Sequence, residues 1–338
     1  MHMLYRKLGA SGLEVSVICL GTMMFGGRTD EATATEIVAD ARACGVNFID
    51  TADAYGEGIS EEITGRAIAS DRDRWVLATK VGNQIGQGVN RKGLSRKWLF
   101  EALDGSLKRL GTEYVDIYYL HKEDHDTPLD ETVGAMADLI RAGKVRHFGV
   151  SNHRAWRVAE ICNICDQMGI GRPVVSQPYY NAMNRVPEVE HLPACGFYGL
   201  GVVPYSPLAR GVLTGKYEPG APPPEDTRAG AGDKRIMQTE WRDESLWLAR
   251  VLKAHAESRG MTAGQFAVNW VLNNEYVTSV VVGPRTIEQW NEYLGALEHE
   301  FTTDDEAFLD GLVAAGHPST PGYNDPAYPI EGRVARTG

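Results

Sequence analysis

The sequence has few cysteines, no excess of basic residues and no long apolar run. Its five cysteines are odd in number and lie mostly inside apolar segments, which fits reduced thiols in a cytosol-like compartment better than a disulfide framework. No apolar stretch reaches the ~18 residues that a membrane helix needs, and the first residues lack an apolar core of signal-peptide length. These absences lead us to expect a soluble, cytoplasmic protein.

The net charge of the chain indicates which kinds of partner it is unsuited to bind. The 338 residues include 34 Lys and Arg against 45 Asp and Glu, so the formal net charge is −11. A net acidic surface argues against nucleic acid and anionic membranes as main partners, although it leaves room for a local basic pocket. Hydrophobic residues make up 43% of the chain and charged residues 23%, which is ordinary for a globular protein and excludes a disordered or collagen-like one.

Eight short runs rich in β-branched and aromatic residues recur along the chain, and a helical pattern follows each of them. Successive runs mostly lie roughly 30 residues apart, the length of one strand–helix unit. The runs cover residues 15–21, 46–50, 75–80, 115–121, 145–151, 174–177, 201–205 and 277–283. Eight such units predict an α/β protein with the (β/α)8 fold of a TIM barrel.

The remaining segments fit around such a barrel in one domain, residues 1–338, because no linker divides the chain. Residues 5–8 and 13–16 predict an N-terminal β-hairpin that caps the bottom of the barrel, and the tail from about 317 is expected to be irregular. The stretch from 206 to about 240 predicts a long loop over the C-terminal mouth. A doubly wound dinucleotide fold is the alternative, but no Gly-x-Gly-x-x-Gly lies at a first strand–helix turn.

Capping residues mark several helix boundaries. Ser95 and Gly111 flank an apolar stripe at helical spacing, which predicts a helix between them. Thr127 precedes a first-turn proline and predicts an N-cap. Thr262 and Thr286 are each followed three residues later by glutamine, the pattern of a capping box.

Polar side chains stand where several of the predicted strands end, and in a barrel these ends meet at one mouth. Asp50, Lys80 and His121 end three consecutive runs, and Tyr55 follows Asp50 by five residues. A tyrosine phenol titrates near ~10, and a lysine ammonium within reach favours its phenolate and makes it a better proton donor. Asp50 would keep Lys80 charged, while His121 would orient a carbonyl and stabilise charge on its oxygen. This quartet predicts carbonyl reduction.

Two other pairs have a metal or redox interpretation. His121 and His125 could bind a metal, but no third ligand is evident, and we expect no metal site. Cys162 and Cys165 could form a dithiol, but they lie in an apolar-periodic helix without a second pair, which favours buried structural thiols. A metal-dependent barrel hydrolase stays as an alternative that bound metal and loss of activity with a chelator would identify.

Over essentially its whole length the chain resembles the aldo-keto reductase superfamily. The segments that carry the resemblance are residues 45–56, 79–80, 118–121, 149–152, 203–211 and 282–289. The resemblance implies a (β/α)8 barrel that binds NADPH/NADP+ without a Rossmann domain and reduces an aldehyde or ketone by direct hydride transfer, with Tyr55 as proton donor. Asp50, Lys80 and His121 would complete its catalytic tetrad.

The resemblance also implies contacts along the whole cofactor. Ser151, Asn152 and Gln177 would hold the carboxamide, and Tyr205 would stack on the nicotinamide. Further cofactor-binding residues would be Gly21, Thr22, Met23, Asp50, Ser206, Pro207, Leu208, Arg210, Gly211 and Lys216, and Gly283 in the segment that resembles the adenosine-phosphate site.

At the other end of the cofactor, Arg285 and Gln289 would face the 2′-phosphate and Glu292 would lie near the adenine. Arg228 would be the loop arginine that closes over the cofactor. Family members commonly carry Asn after the adenine-contacting Glu, and this chain carries Tyr293 there instead.

Within the superfamily, residues 93–97 and 126–132 are most similar to bacterial members related to the β-subunits of voltage-gated potassium channels. A cofactor-sensing regulatory subunit with little turnover is therefore the second hypothesis, although those β-subunits commonly have Asn at the position of His121. The small-molecule carbonyl substrate would be bound by loops 82–93 and 206–240 together with Met23, Met24, Phe25, Tyr55, Asn83 and His121. A monomer and a homo-oligomer both stay open.

Overall fold

The computed structural model describes residues 3–330 and places eight parallel strands in one sheet, with a separate two-stranded hairpin. The strands are β1 (Tyr5–Lys7), β2 (Glu14–Ser16), β3 (Ile18–Gly21), β4 (Phe48–Asp50), β5 (Val76–Val81), β6 (Val115–Leu120), β7 (Val145–Ser151), β8 (Val175–Gln177), β9 (Gly201–Val202) and β10 (Val280–Val282). Strands β3 to β9 pair in chain order, and β10 pairs with β3. Parallel bridges from Val202 to Val277 and from Tyr205 to Val281 join the two edges. The predicted (β/α)8 barrel is confirmed.

Helices follow the strands around the outside of the barrel. They are α1 (Glu31–Ala43), α2 (Ile59–Ile68), α3 (Arg96–Leu110), α4 (Leu129–Arg141), α5 (Ala155–Met168), α6 (His191–Tyr198), α7 (Lys234–Thr239), α8 (Asp243–Ser258), α9 (Ala263–Asn273), α10 (Ile287–Gly295) and α11 (Thr303–Leu312). Three of them, α7 to α9, lie between β9 and β10, so the predicted long loop contains the short helix α7. None of the helices between residues 3 and 330 has the length and apolar character to cross a membrane.

The predicted helix boundaries are partly confirmed. The side chain of Ser95 caps α3, which ends at Gly111, and Thr262 forms a complete capping box on α9. Thr286 also caps α10. The Gln289 side chain, however, accepts from the backbone N–H of Arg285 and not from that of Thr286, so the second capping box is incomplete. The N-cap predicted at Thr127 is wrong, because α4 begins after Pro128 and the Thr127 hydroxyl donates to an aspartate in the preceding loop.

The barrel has an inner core and an outer core. Inward-facing residues of the strands, such as Cys19, Phe48 and Ile117, pack inside the ring, and Leu8 of the hairpin joins them. Next to Leu8, Gly9 has a φ of +56°, and a Cβ there would lie 2.4 Å from the Val174 carbonyl oxygen. Glycine therefore lets the hairpin seal the end of the barrel where the strands begin, as predicted.

The two cysteines of α5 lie in the outer core. Cys162 and Cys165 are fully buried free thiols. Burial raises the pKa of Cys162 to about 11 and that of Cys165 to about 12. Both are therefore protonated at neutral pH, which confirms the prediction of buried structural thiols.

The C-terminal segment from 317 to 330 contains no helix or strand and runs over the mouth of the barrel. Its Asp325 forms an ion pair with Arg235, and the carbonyl of Pro329 accepts from Arg154, which follows β7. The tail therefore links the inserted segment after β9 to the end of β7. The last residues of the predicted tail, 331–338, lie outside the described residues.

Close packing of α2 on the end of α3 gives a testable prediction about stability. A Cβ at Gly65 would lie 2.4 Å from the Leu110 carbonyl oxygen, whereas a Cβ at Gly134 in α4 would meet nothing within 4 Å. We expect Gly65→Ala to destabilise the fold by about 1–3 kcal/mol through overpacking. The control Gly134→Ala should stabilise it by up to about 1 kcal/mol through helix propensity. Urea unfolding of both variants measures this; equal midpoints would contradict the packing described here.

Candidate active site

Lys80 lies at the centre of a group of polar side chains at the mouth of the barrel. It points inward from β5, and its side chain is fully buried. Its Nζ donates to a carboxylate oxygen of Asp50 at the end of β4, to the Thr51 carbonyl at 2.8 Å and to Tyr55 Oη at 3.1 Å. Three donors of one ammonium are thus directed to three oxygens. The structure brings together three of the four predicted catalytic residues around one nitrogen.

His121 completes this group from the next strand. It follows β6, and its ring meets the Tyr55 ring edge-on, with centroids 6.0 Å apart. Its Nδ1 lies 3.0 Å from Asn83 Nδ2, so with the amide as donor the proton of a neutral ring is on Nε2. Desolvation, together with the charges of Lys80 and Lys122, lowers the pKa of His121 well below its usual value. The imidazole is therefore neutral at pH 7.

The charges fix the protonation states of the other two groups. Desolvation raises the pKa of Tyr55, and Lys80 opposes this without reversing it. Burial by itself would lower the pKa of Lys80, but Asp50 and Tyr55 raise it above its ordinary value. At neutral pH the site therefore presents a protonated phenol beside a charged ammonium. The net shift at Tyr55 is upward, because desolvation outweighs the effect of the ammonium.

A cavity of about 340 Å³ opens over these residues. It is lined by most of the predicted residues: Gly21, Met23, Met24, Asp50, Tyr55, His121, Ser151, Asn152, Gln177, Tyr205, Ser206, Pro207, Leu208, Arg210, Gly211, Lys216, Arg228, Gly283, Arg285, Gln289 and Glu292. Thr22 does not line it, since its hydroxyl donates to the Asp50 carbonyl and contacts Ser60. Phe25 and Asn83 of the predicted substrate pocket also lie outside its wall.

A hydrogen-bond network joins the ends of β6 to β9 beside the catalytic group. Asn152, with a φ of +55°, donates to the His121 carbonyl at 2.9 Å and accepts from Tyr205 Oη at 2.8 Å. Gln177 Nε2 donates to Asp50 Oδ2 at 2.9 Å, and Ser151 donates to the Gln177 carbonyl at 2.8 Å. The predicted carboxamide-binding residues are thus held rigidly around Asp50 and His121.

The opposite end of the cavity is cationic. Lys216, Arg285 and Arg28 line it, and within residues 3–330 no carboxylate lies within 4 Å of these three cations. The carbonyl of Asp226 accepts from Arg28 at 3.0 Å and from Arg285 at 3.4 Å. Desolvation and the neighbouring Arg285 lower the pKa of Lys216. This acidic protein therefore contains a local concentration of positive charge, without carboxylates in ion-pair contact, in the cavity over Lys80 and Tyr55.

The other residues predicted at that end already have partners. Gln289 Oε1 accepts from the Arg285 N–H at 2.9 Å. Glu292 accepts from the Thr262 hydroxyl at 2.8 Å, and Arg228 donates to Asp233 at 2.6 Å. These side chains line the cavity while they also hold its wall together.

Sequence reasoning missed Arg28, Val281 and Tyr328 of the wall, whereas it named Tyr293 at the adenine end and included Thr214 and Arg235 only within loop 206–240. Arg28 lies in the loop between β3 and α1, and Tyr328 lies in the irregular tail. Neither stands at the end of a strand, the position from which the other site residues were predicted.

His125 is exposed and lies 3.4 Å from Glu123, and residues 3–330 hold no group of three or more His, Cys, Asp or Glu placed to bind a metal.

Comparison with known proteins gives consistent matches. The profile of the Aldo/keto reductase family matches residues 17–314. A "Probable voltage-gated potassium channel subunit beta" of Oryza sativa subsp. japonica is 39% identical over 88% of this chain and 92% of its own length. An "L-glyceraldehyde 3-phosphate reductase" of Escherichia coli O157:H7 is 36% identical over 93% and 94%. The "Uncharacterized oxidoreductase YrpG" of Bacillus subtilis (strain 168) is 36% identical over 87% and 91%.

A second buried charge cluster lies behind the catalytic group. Glu61 accepts from Thr79 at 2.5 Å and pairs with Arg109 at 2.6 Å. Asp53 is also buried, but neither of its carboxylate oxygens has a hydrogen-bond partner among the described residues. Burial, with the nearby Glu61 charge, raises the pKa of Asp53 to about 7.

This cluster predicts the pH dependence of stability. The folded protein keeps the Asp53 proton up to about pH 7, whereas the unfolded chain loses it near ~4, so ionisation of Asp53 weakens the fold between these values. Asp53→Asn should remove this loss. The free energy of unfolding of Asp53→Asn minus that of the unaltered protein should be about 2 kcal/mol larger at pH 8 than at pH 5, as measured by urea unfolding. The exposed control Asp73→Asn should show no such increase. The prediction would be contradicted if the stability of Asp53→Asn changed with pH in the same way as that of the unaltered protein.

Proposed function

The chain belongs to the aldo/keto reductase family, and we propose that it is an NADPH-dependent reductase of aldehydes or ketones with Tyr55 as proton donor. The family and its oxidoreductase members support carbonyl reduction in general. The observation that carries the specific proposal is the single buried ammonium of Lys80, which contacts both Asp50 and Tyr55 beside a neutral His121.

The chemistry of the cavity wall fits a phosphorylated dinucleotide. Lys216, Arg285 and Arg28 offer cations without carboxylate partners at one end, where phosphates would be bound. Tyr205 and Asn152 lie at the other end, beside the catalytic group. Together with these we assign to the cofactor Gly21, Met23, Ser151, Gln177, Ser206, Pro207, Leu208, Gly211, Arg228, Gly283, Gln289 and Glu292.

The side chains divide the reaction between them. Bound NADPH would supply the hydride that adds to the carbonyl carbon and leaves negative charge on the oxygen. Tyr55 gives its phenolic proton to that oxygen, and Lys80, 3.1 Å away, stabilises the phenolate that remains. His121, as a neutral donor through Nε2, orients the carbonyl and stabilises its developing charge. Asp50 keeps Lys80 charged and in place.

The relatives favour two different uses of this site. The name of the Escherichia coli relative denotes a reductase of a small phosphorylated aldehyde, which fits a catalytic role. The name of the Oryza sativa relative denotes a channel subunit, so a regulatory protein that binds NADPH with little turnover is the second candidate. His121 beside Tyr55 favours the enzyme, because a binding protein has no need of an aligned donor pair.

Removal of one oxygen atom tests the catalytic role of Tyr55. Tyr55→Phe should lower kcat for 4-nitrobenzaldehyde reduction by about 10²- to 10⁴-fold, because the proton donor is lost. The Kd for NADPH should change little. Tyr276→Phe, which removes the same atom from an exposed ring, is the control. Tight NADPH binding by the unaltered protein with no turnover on a broad panel of carbonyls would instead establish the regulatory candidate.

Arg285 tests the preference for NADPH. Arg285→Ala should raise the Kd for NADPH by about 10- to 100-fold, the value of one or two charge-assisted hydrogen bonds, and should change the Kd for NADH much less. Fluorescence titration with both cofactors measures this. Arg146→Ala, an exposed arginine over the Tyr114 ring, is the control. Equal losses for NADPH and NADH would remove Arg285 from the 2′-phosphate site.

A further inference from the structure

Arg210 differs from most arginines of this fold in having no acidic partner. Most others that are at least half-buried lie within 4 Å of a carboxylate, among them Arg72, Arg109, Arg157, Arg185, Arg228 and Arg235. Arg6, Arg242 and Arg285 also lack a carboxylate. Arg6 and Arg242 each donate to at least two oxygens, and Arg285 donates to the Asp226 carbonyl. Arg210 makes a single hydrogen bond, from Nε to Thr239 Oγ1 at 3.1 Å. Within residues 3–330 its two terminal nitrogens have no partner, and its side chain lines the cavity.

The backbone around Arg210 holds it in an unusual conformation. Ser206, Ala209 and Arg210 have φ values of +58°, +46° and +55°, in the region that non-glycine residues rarely occupy. The Ser206 carbonyl accepts from Asn181 at 3.0 Å, which fixes the start of this turn. Strained backbone of this kind persists where the surroundings determine it, and it occurs often at ligand-binding sites. Here it directs a guanidinium toward the cavity.

The surroundings of Arg210 place it beside Tyr205, the residue predicted to stack on the nicotinamide. Its guanidinium lies 5.6 Å from the Tyr179 ring, which itself packs on Tyr205 with centroids 5.5 Å apart. Its charged neighbours are Arg228, Arg235, Asp233 and Asp325. The neighbours of Lys216 include Arg285 and Arg28, and its Nζ would lie 3.4 Å from a Cβ on Gly211, the residue that follows Arg210. The cations of the cavity therefore form one continuous series, in which Arg228 neighbours both Arg28 and Arg210, while Arg210 and Arg235 are the members beside Tyr205.

The C-terminal tail closes the space around Arg210. Arg235 pairs with Asp325 of the tail, and Tyr328 lines the cavity with both arginines. Three arginines here, Arg210, Arg228 and Arg235, face only two carboxylates, Asp233 and Asp325, and each carboxylate is already paired. One positive charge is left over, and it is that of Arg210.

We propose that Arg210, with Arg235 beside it, binds an acidic group of the carbonyl substrate, a carboxylate or a phosphate. This inference rests on the proposed reductase function and names its substrate class: aldehydes or ketones that carry a negative charge. A planar guanidinium with free terminal nitrogens suits either anion through two parallel hydrogen bonds. The pyrophosphate of the cofactor is the other source of the same chemistry, and it would give Arg210 a different role.

Matched substrates separate these roles. Steady-state rates are measured with NADPH for 4-carboxybenzaldehyde against methyl 4-formylbenzoate, and for glyceraldehyde 3-phosphate against glyceraldehyde. In each pair the members share a carbonyl and differ in charge. We expect kcat/KM to be at least about 10-fold higher for the charged member of one pair or both, and Arg210→Met to reduce that ratio by about 10-fold. Arg210→Lys, which keeps the charge, should retain part of the ratio, and the control Arg146→Met should retain all of it.

The outcomes are distinguishable from failure of the reductase function itself. A ratio unchanged by Arg210→Met, with NADPH binding weakened 10-fold or more, would assign Arg210 to the cofactor and overturn the inference. If the unaltered protein reduces none of the four aldehydes, the proposed function fails. Calorimetric binding of terephthalate, a dicarboxylate of the same outline, then tests the site alone. Weaker binding to Arg210→Met than to the unaltered protein supports the anion site, and equal binding overturns it.

Discussion

The ion pair between Lys80 and Asp50 is the interaction on which the candidate active site depends. A fully buried ammonium is costly unless it is paired and its remaining protons are bound, and here Asp50, Thr51 and Tyr55 provide the three acceptors. The same contacts fix the position of Tyr55 and connect it to β4 and β5. Because Gln177 binds the second oxygen of Asp50, the ion pair also anchors the end of β8. The pairing of β4 with β5 therefore determines where the Tyr55 phenol lies.

The cavity is positively charged although the protein as a whole is acidic. The chain carries a net charge of −11, yet several cations that line its cavity, among them Lys216, Arg285 and Arg210, have no carboxylate within 4 Å among the described residues. One group, around Lys216 and Arg285, suits the phosphates of a dinucleotide. The other, around Arg210, lies under the C-terminal tail beside Tyr205. An acidic surface with a cationic cavity favours small anionic ligands over large polyanions, which the surface would repel.

Much of this arrangement could be predicted from the sequence, because it follows from the ends of strands. Asp50, Lys80 and His121 stand at the ends of three consecutive apolar runs, and parallel strands must bring such positions to one mouth. Residues that act from loops could not be found in this way: Arg28 and Tyr328 reach the cavity only through the paths of their segments. Thr22 was predicted beside the cofactor, but its hydroxyl is used to bind the Asp50 carbonyl.

Titration of the Tyr55 phenol tests the central claim most directly, because it requires no substrate. Ultraviolet difference titration of the unaltered protein against Tyr55→Phe isolates this phenol from the other tyrosines, and the same measurement is made in a Lys80→Met background. Since the Lys80 charge lowers the pKa of Tyr55 against the effect of desolvation, the account predicts a higher pKa for Tyr55 when Lys80 is replaced. An unchanged or lower pKa would contradict the claim that this ammonium controls the proton of Tyr55.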